Sequence, residues 1–289
     1  MTSEIPINTA LDRKNTEYGQ HLVLLGCGKM GSAMLKGWLC QAEHFARISV
    51  IEPEGISADF DSIELIRWYA SIDALMKNNR ISIDFVVLAV KPQNMANAIA
   101  PFTQMALSDV IFLSIAAGLS TKWLERQLNG SKQIVRAMPN TPACIGAGIT
   151  AVFFSDAIPD HKEKFCISLF KAVGEVIVVP DEGMMNAVTA LSGSGPAYVF
   201  LLAEAMQIAG SKLGLPDNVS KKLAYGTVCG ASTLLGQEIA DASILRDNVT
   251  SKGGTTAAAL SVLMREDGLA TLILKAMKKA EKRSRELGQ

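Results

Sequence analysis

The residues best suited to chemistry form two glycine-rich runs near opposite ends of the chain. The first is Gly26-Cys27-Gly28-Lys29-Met30-Gly31. Glycines spaced this way fit a phosphate-binding turn between a strand and a helix. Gly26 permits the tight turn, Gly28 lets backbone approach a pyrophosphate, and Gly31 allows close packing of helix on strand. The helix N-terminus then offers free N–H groups and partial positive charge to the phosphates, which puts Cys27, Lys29 and Met30 in the same cradle. Context strengthens a motif that is weak alone: strand-like His21-Leu22-Val23-Leu24-Leu25 leads into it, and an amphipathic helix leaves it. Glu52 ends the next strand-like run. A carboxylate there accepts both adenosine ribose hydroxyls and repels a 2′-phosphate, which favours NADH; a solvated turn residue is the alternative, since Pro53 and Glu54 follow. The second run, Gly253-Gly254-Thr255-Thr256, precedes helix-forming Ala257-Ala258-Ala259-Leu260. A glycine pair there exposes successive N–H groups at a helix N-terminus, a suitable anion site.

The elements that must hold these runs change character along the chain. Short β-rich runs alternate with helix-like stretches from residue 21 to about residue 180: His21–Leu25, Ile48–Ile51, Phe85–Val90, Val110–Ile115, Gln133–Ala137, Gly148–Phe154 and Glu175–Val179. Several are continuous Val/Ile/Leu segments, as strands buried on both faces should be, and their alternation with helices implies βαβ units. The later strands leave room for an antiparallel pair. After Pro180 the pattern is helical, in Asn218–Glu238, Thr255–Arg265 and Leu269–Leu287, with Asp217 as a candidate cap. Three divisions follow: a flexible N-terminal extension over residues 1–20, a dinucleotide-binding domain over 21–180, and an all-α domain over 181–289. So much Ala and Leu in the helical part implies that it buries surface in another subunit. Within it, Pro196 in Ser192-Gly193-Ser194-Gly195-Pro196 predicts a kink. The glycines around it allow close approach of a nicotinamide or of another helix.

With 49% hydrophobic residues in 289, there is material for two well-buried cores. Lys plus Arg (28) balances Asp plus Glu (28), so nothing in the charge seeks nucleic acid or an anionic membrane. Five cysteines without a CxxC pair and three scattered histidines suggest reduced thiols and no metal site. No apolar run is long enough to span a bilayer and none resembles a signal peptide, so the reading is cytoplasmic. The Lys278-to-Arg285 cations are interleaved with glutamates and read as a solvated helix face.

Four further segments complete a pattern: Ala89-Val90-Lys91-Pro92-Gln93, Met138-Pro139-Asn140-Thr141-Pro142, Leu191-Ser192-Gly193-Ser194-Gly195-Pro196-Ala197-Tyr198, and Leu245-Arg246-Asp247-Asn248-Val249-Thr250-Ser251-Lys252-Gly253-Gly254-Thr255-Thr256. With the glycine turn, in this order and spacing, they resemble the pyrroline-5-carboxylate reductases over nearly the whole chain. The resemblance implies an α/β chain: an N-terminal Rossmann-type dinucleotide-binding domain with a C-terminal all-α dimerisation domain. It implies NADP(H) or NAD(H) as cofactor and reduction of the C=N bond of 1-pyrroline-5-carboxylate to L-proline, the last step of proline biosynthesis. It implies a homodimer, in some members a larger ring of dimers. Ala89, Lys91, Ile115 and Ala117 match positions that line the dinucleotide, with Val90, Pro92 and Ala116 among them. Asn248, Thr255 and Thr256 match positions that hold substrate or proline. The family usually has proline where this chain has Lys252. That loop is then less stiff, and Lys252 either adds attraction for a carboxylate or points outward.

Reducing a cyclic imine needs a held hydride donor, a polarised nitrogen and a grip on the carboxylate. The amides of Gly253 and Gly254, with Ser251, are the expected carboxylate grip. Thr256 is the expected catalytic group, aimed at the ring nitrogen for orientation and proton relay, although Thr255 or Thr256 could simply cap the helix. Glu182, at the domain junction, is expected to touch substrate. Lys91 suits a loop beside the cofactor better than a catalytic lysine. A β-hydroxyacid dehydrogenase would need a general-acid lysine between Met184 and Leu202, which contains none. A non-catalytic scaffold would predict erosion of the 245–256 loop, which keeps Asn248, Ser251 and both threonines. The turn at 26–31 and the cradle at 251–256 are expected to face one pocket, within a chain or across subunits.

Overall fold

The computed structural model describes residues 19–77, 82–104, 109–237 and 240–288, so the expected N-terminal extension lies outside the described residues up to residue 18. The first unit is built on strands β1 (Gln20–Leu25), β2 (Phe45–Ile51), β3 (Ile66–Tyr69), β4 (Phe85–Leu88), β5 (Ile111–Ser114), β6 (Ile134–Met138), β7 (Gly148–Phe154) and β8 (Gly174–Val178). They form one sheet in the order β3-β2-β1-β4-β5-β6-β7-β8. From β3 to β6 all neighbours are parallel, β7 turns antiparallel to β6, and β8 follows β7. The antiparallel step that the later runs allowed for is therefore the β6–β7 pair. Strand order reverses between β1 and β4, the switch point where open α/β sheets bind ligands.

The continuous apolar strands follow from helices on both faces. Leu22 and Leu24 of β1 face Met34, Leu35 and Trp38 of α1 (Lys29–Leu39) together with Cys166, Leu169 and Phe170 of a later helix (Asp160–Lys171). Val23 and Leu25 face the opposite core, with Ile72, Leu75, Met95, Phe102 and Leu124. All four β1 side chains are at most 5% exposed; each such burial stabilises the fold by about 1.5–3 kcal/mol. The fully buried Trp38 also donates its indole N–H to the Leu169 carbonyl at 2.9 Å. Strand β3, Ile-Arg-Trp-Tyr, is an addition to the sequence reading. It pairs only with β2, at the sheet edge, and its Arg67 and Trp68 stay exposed.

His21 ties β1 to its neighbours at the end of the sheet opposite the switch point. Its Nδ1–H donates to the Ser82 carbonyl (2.6 Å), Nε2 meets Ser49 Oγ (2.8 Å), and its backbone N–H donates to Asp84 Oδ2 (2.8 Å). Burial, the leading cause, holds the imidazole below its ordinary pKa of 6.5, against the upward pull of the Ser82 carbonyl. The unfolded chain therefore takes up a proton near pH 6.5 while the native protein stays neutral to lower pH. Stability is full above that pH and declines below it. In urea titrations at pH 7.5 and 5.5, the wild-type midpoint should fall on acidification by more than that of His21→Gln. Equal falls would remove His21 as a source of the pH dependence.

Beyond β8 the chain makes a 3-10 turn (Glu182–Met184), a short helix (Met185–Val188) and a π-helical turn (Thr189–Gly193). Compact units divide after Gly193, and residues from Glu281 onward belong with the first unit. In that unit Ser284, 2% exposed, donates its hydroxyl to Asn186 Oδ1 at 2.8 Å. Its backbone approaches so closely that a Cβ at Gly118 would lie 2.4 Å from the Ser284 carbonyl oxygen.

The second unit is helical: Gly195–Lys212, Asp217–Gln237, Ala242–Asn248, Thr255–Leu263, and the start of Leu269–Leu287. Pro196 lies in the first turn of a new helix rather than inside a bent one, so the expected kink is a break preceded by the π-turn. Asp217 is likewise within the first turn, not the cap, because the Ser220 N–H reaches the Pro216 carbonyl (2.9 Å). The first two helices cross through small residues; the Ser220 hydroxyl donates to the Gln207 carbonyl at 2.6 Å. Among the described residues of this unit, Ala224 and Ser220 are the only buried ones, while Phe200, Leu201, Leu272 and Met264 are each more than half exposed.

Candidate active site

The glycine turn leaves β1 at the switch point. Gly26 has φ +94°, and a Cβ there would lie 3.0 Å from the Ala89 backbone. A Cβ on Gly31 would sit 2.3 Å from the Gly26 carbonyl oxygen, so that glycine is fixed by helix-to-turn contact. At Gly28 a Cβ meets nothing within 4 Å. That face of the turn is open, as backbone approach by a pyrophosphate requires. Helix α1 starts at Lys29 with no side chain capping it, which leaves its first N–H groups for a ligand. The residues present therefore fit a dinucleotide.

Glu52 closes the turn from the side. Its carboxylate accepts the Cys27 N–H at 2.8 Å, and its carbonyl accepts the Trp68 indole N–H at 2.7 Å. Burial and then the Glu52 charge push the Cys27 thiol up to about 11, so it stays protonated and is no nucleophile.

A cleft of about 300 Å³ opens beside the turn, lined by Met30, Ala89, Val90, Lys91, Pro92, Ile115, Ala116, Ala117, Met138, Pro139, Asn140, Thr141 and Gly193. Ala89 to Pro92 follow β4 and Ile115 to Ala117 follow β5, so these expected cofactor residues come together at adjacent strand ends. Lys91 is exposed, at the start of a 3-10 turn (Pro92–Asn94). It suits electrostatic attraction at the cleft rim.

The Met138–Pro142 segment, part of the family pattern but without an expected role, also lines the cleft through Met138, Pro139, Asn140 and Thr141. Asn140, 8% exposed, joins two walls of the cleft: its Oδ1 accepts the Ile149 N–H (2.9 Å), and its Nδ2 donates to the Ser192 carbonyl (3.2 Å). The Ser192 carbonyl would ordinarily be taken by the N–H four residues on, which is Pro196 and has none. Asn140 supplies the missing donor and so holds the π-turn that carries Gly193. The contact is tight; a Cβ at Gly193 would lie 2.4 Å from Met138 Cε.

Glu182 is held by protein groups. Its Oε1 accepts from the Thr121 N–H (2.6 Å) and from Arg136 Nη1 (2.8 Å), and its Oε2 accepts from Thr121 Oγ1 (2.7 Å). Three protein donors engage both oxygens. Glu182 thereby anchors the segment after β8 to β6 and to the helix Thr121–Gln127.

In the second unit, Asn248 ends the helix Ala242–Asn248, and Thr250 Oγ1 turns back to the Arg246 carbonyl (2.6 Å). The Gly254 N–H donates to the Ser251 carbonyl (3.0 Å), and Gly253 has φ +73°. Gly254 is the N-cap of Thr255–Leu263, without a side-chain hydrogen bond. Thr255 and Thr256 therefore stand inside the first turn and cap nothing, and Thr256 is half-buried. Lys252 is exposed. Among the described residues no cluster of His, Cys, Asp or Glu could hold a metal ion, and no helix is long and apolar enough to cross a membrane.

A mostly parallel sheet with this turn, a strand-end carboxylate and a cleft at the switch point defines a Rossmann-type dinucleotide-binding protein. Comparison with known proteins narrows the class. Residues 182–287 match the model for pyrroline-5-carboxylate reductase dimerisation, and residues 21–118 match that for NADP oxidoreductase, coenzyme F420-dependent. The chain is 39% identical to the pyrroline-5-carboxylate reductase of Haemophilus influenzae over 83% of its own length and 88% of that protein's. It is similar to the structure of a pyrroline-5-carboxylate reductase from Coxiella burnetii (TM-score 0.81, 32% identity, covering 93% of this chain and 98% of that one). It is similar also to the Plasmodium falciparum enzyme with NADP bound (TM-score 0.78, 28% identity, 94% and 99% covered). The chain belongs to the pyrroline-5-carboxylate reductase family.

Proposed function

We propose that this chain uses NAD(P)H to reduce the C=N bond of 1-pyrroline-5-carboxylate to L-proline, the closing step of proline synthesis. The observation that carries the reading is the 39% identity to a named pyrroline-5-carboxylate reductase over most of both chains. The nicotinamide, held by the 26–31 turn, Ala89–Pro92 and Ile115–Ala117, supplies the hydride when bound. The first-turn amides after Gly253 and Gly254, with Asn248, Ser251 and Thr255, hold the substrate carboxylate. Thr256 directs its hydroxyl at the ring nitrogen. A threonine hydroxyl is too weak an acid to be the ultimate proton source at neutral pH, so the ring is bound as its iminium or is protonated through Thr256 from water. The ring carbon gains the hydride, the nitrogen keeps its proton, and a secondary amine leaves.

The homodimer is part of this reading, supported by the dimerisation match and by the exposed apolar helices of the second unit. A ring of dimers and a cytoplasmic location complete the proposal; light scattering and cell fractionation test them. The activity is tested by following NAD(P)H absorbance with purified protein and 1-pyrroline-5-carboxylate. Imine-dependent oxidation yielding proline is expected. Absence of turnover with both NADH and NADPH would refute the assignment.

A further inference from the structure

We propose that Glu52 makes this chain selective for NADH over NADPH, accepting the adenosine 2′-hydroxyl and repelling a 2′-phosphate. The inference rests on the dinucleotide-binding reading of the glycine turn. A solvated turn residue would swing freely, but Glu52 is half-buried and pinned twice, by Cys27 N–H on its carboxylate and by Trp68 on its carbonyl. The Cys27 N–H holds the carboxylate at the strand end, beside the turn that a 2′-phosphate would approach. One oxygen, Oε2, serves the turn. The other has no hydrogen bond to the described residues, which leaves an acceptor for a ribose hydroxyl.

The surrounding charge has the same sense. From Glu52 through Ile66 the chain carries five acidic side chains, Glu52, Glu54, Asp59, Asp61 and Glu64, and no lysine or arginine. Within it, Asp59 pairs with Lys36 at 3.4 Å. A 2′-phosphate needs a cation at the strand end, as an arginine provides in NADP-binding relatives of this fold. Here it would add charge to an acidic segment, at a cost greatest at low ionic strength. The Plasmodium relative was solved with NADP bound, so the selectivity is assigned to this chain's own residues and not to its family.

The test is fluorescence titration of the purified protein with NADH and NADPH, without imine. The dissociation constant for NADPH should exceed that for NADH by at least ~10-fold, and Glu52→Gln should narrow the ratio by at least ~5-fold. Equal or tighter binding of NADPH by the wild type overturns the proposal, as does an unchanged ratio in the variant. Should that variant fail to fold, displacement of NADH from the wild type decides. ADP-ribose should compete better than its 2′-phosphate, and equal competition overturns the inference. NADH-selective binding without imine turnover would overturn the activity reading alone, whereas failure of both dinucleotides to bind would overturn both.

Discussion

Thr256→Ala should lower kcat/KM for the imine by ~10- to 1000-fold, the range for losing one hydrogen bond or proton-transfer role at the reacting atom. The competing explanation of this threonine, that it caps a helix, predicts a loss of about 1 kcal/mol in stability and an unchanged rate. The structure assigns the cap to Gly254 and leaves Thr256 in the first turn, half-buried, with no side-chain cap bond at that end. Steady-state kinetics beside a thermal melt separate the two accounts. A rate effect under threefold would remove Thr256 from the reaction. A Thr256→Ser variant, which keeps the hydroxyl, should recover most of the rate.

Glu182→Ala should destabilise the protein by at most about 3–5 kcal/mol, less than a fully buried pair because the Glu182 side chain is 24% exposed, since removing it leaves a buried charge uncompensated. Arg136 is that charge; its side chain is 5% exposed and its Nη1 sits 2.8 Å from the lost carboxylate. The helix Thr121–Gln127 would also lose an anion at its N-terminus. Urea unfolding measures the effect. A normal unfolding midpoint with a raised KM for the imine would return Glu182 to the substrate.

Much of the fold was legible because apolar runs of strand length imply a doubly covered sheet, and seven such runs match observed strands to within a few residues. Strand β3 escaped because Arg67 and Trp68 interrupt its apolar character, and an edge strand needs no second buried face. The helix Ala242–Asn248 escaped because seven residues are too few for a periodic stripe. The phosphate turn was readable since its glycines act locally. Asn140 was not readable as a clamp: its partner lies 52 positions away, and the need for it arises from the N–H that Pro196 lacks. The anchoring of Glu182 was hidden for a related reason: its donors on Thr121 and Arg136 lie 61 and 46 positions away.

The second unit, with Ala224 as its sole buried apolar side chain among the described residues, has no interior of its own. Exposed apolar helices of this kind recover little of the conformational entropy lost on ordering them unless a second copy covers them. In a paired assembly the stability of this half would then depend on how many chains are present, so that dilution would weaken it and a substitution on an outward leucine would act through the partner rather than through contacts within the protomer.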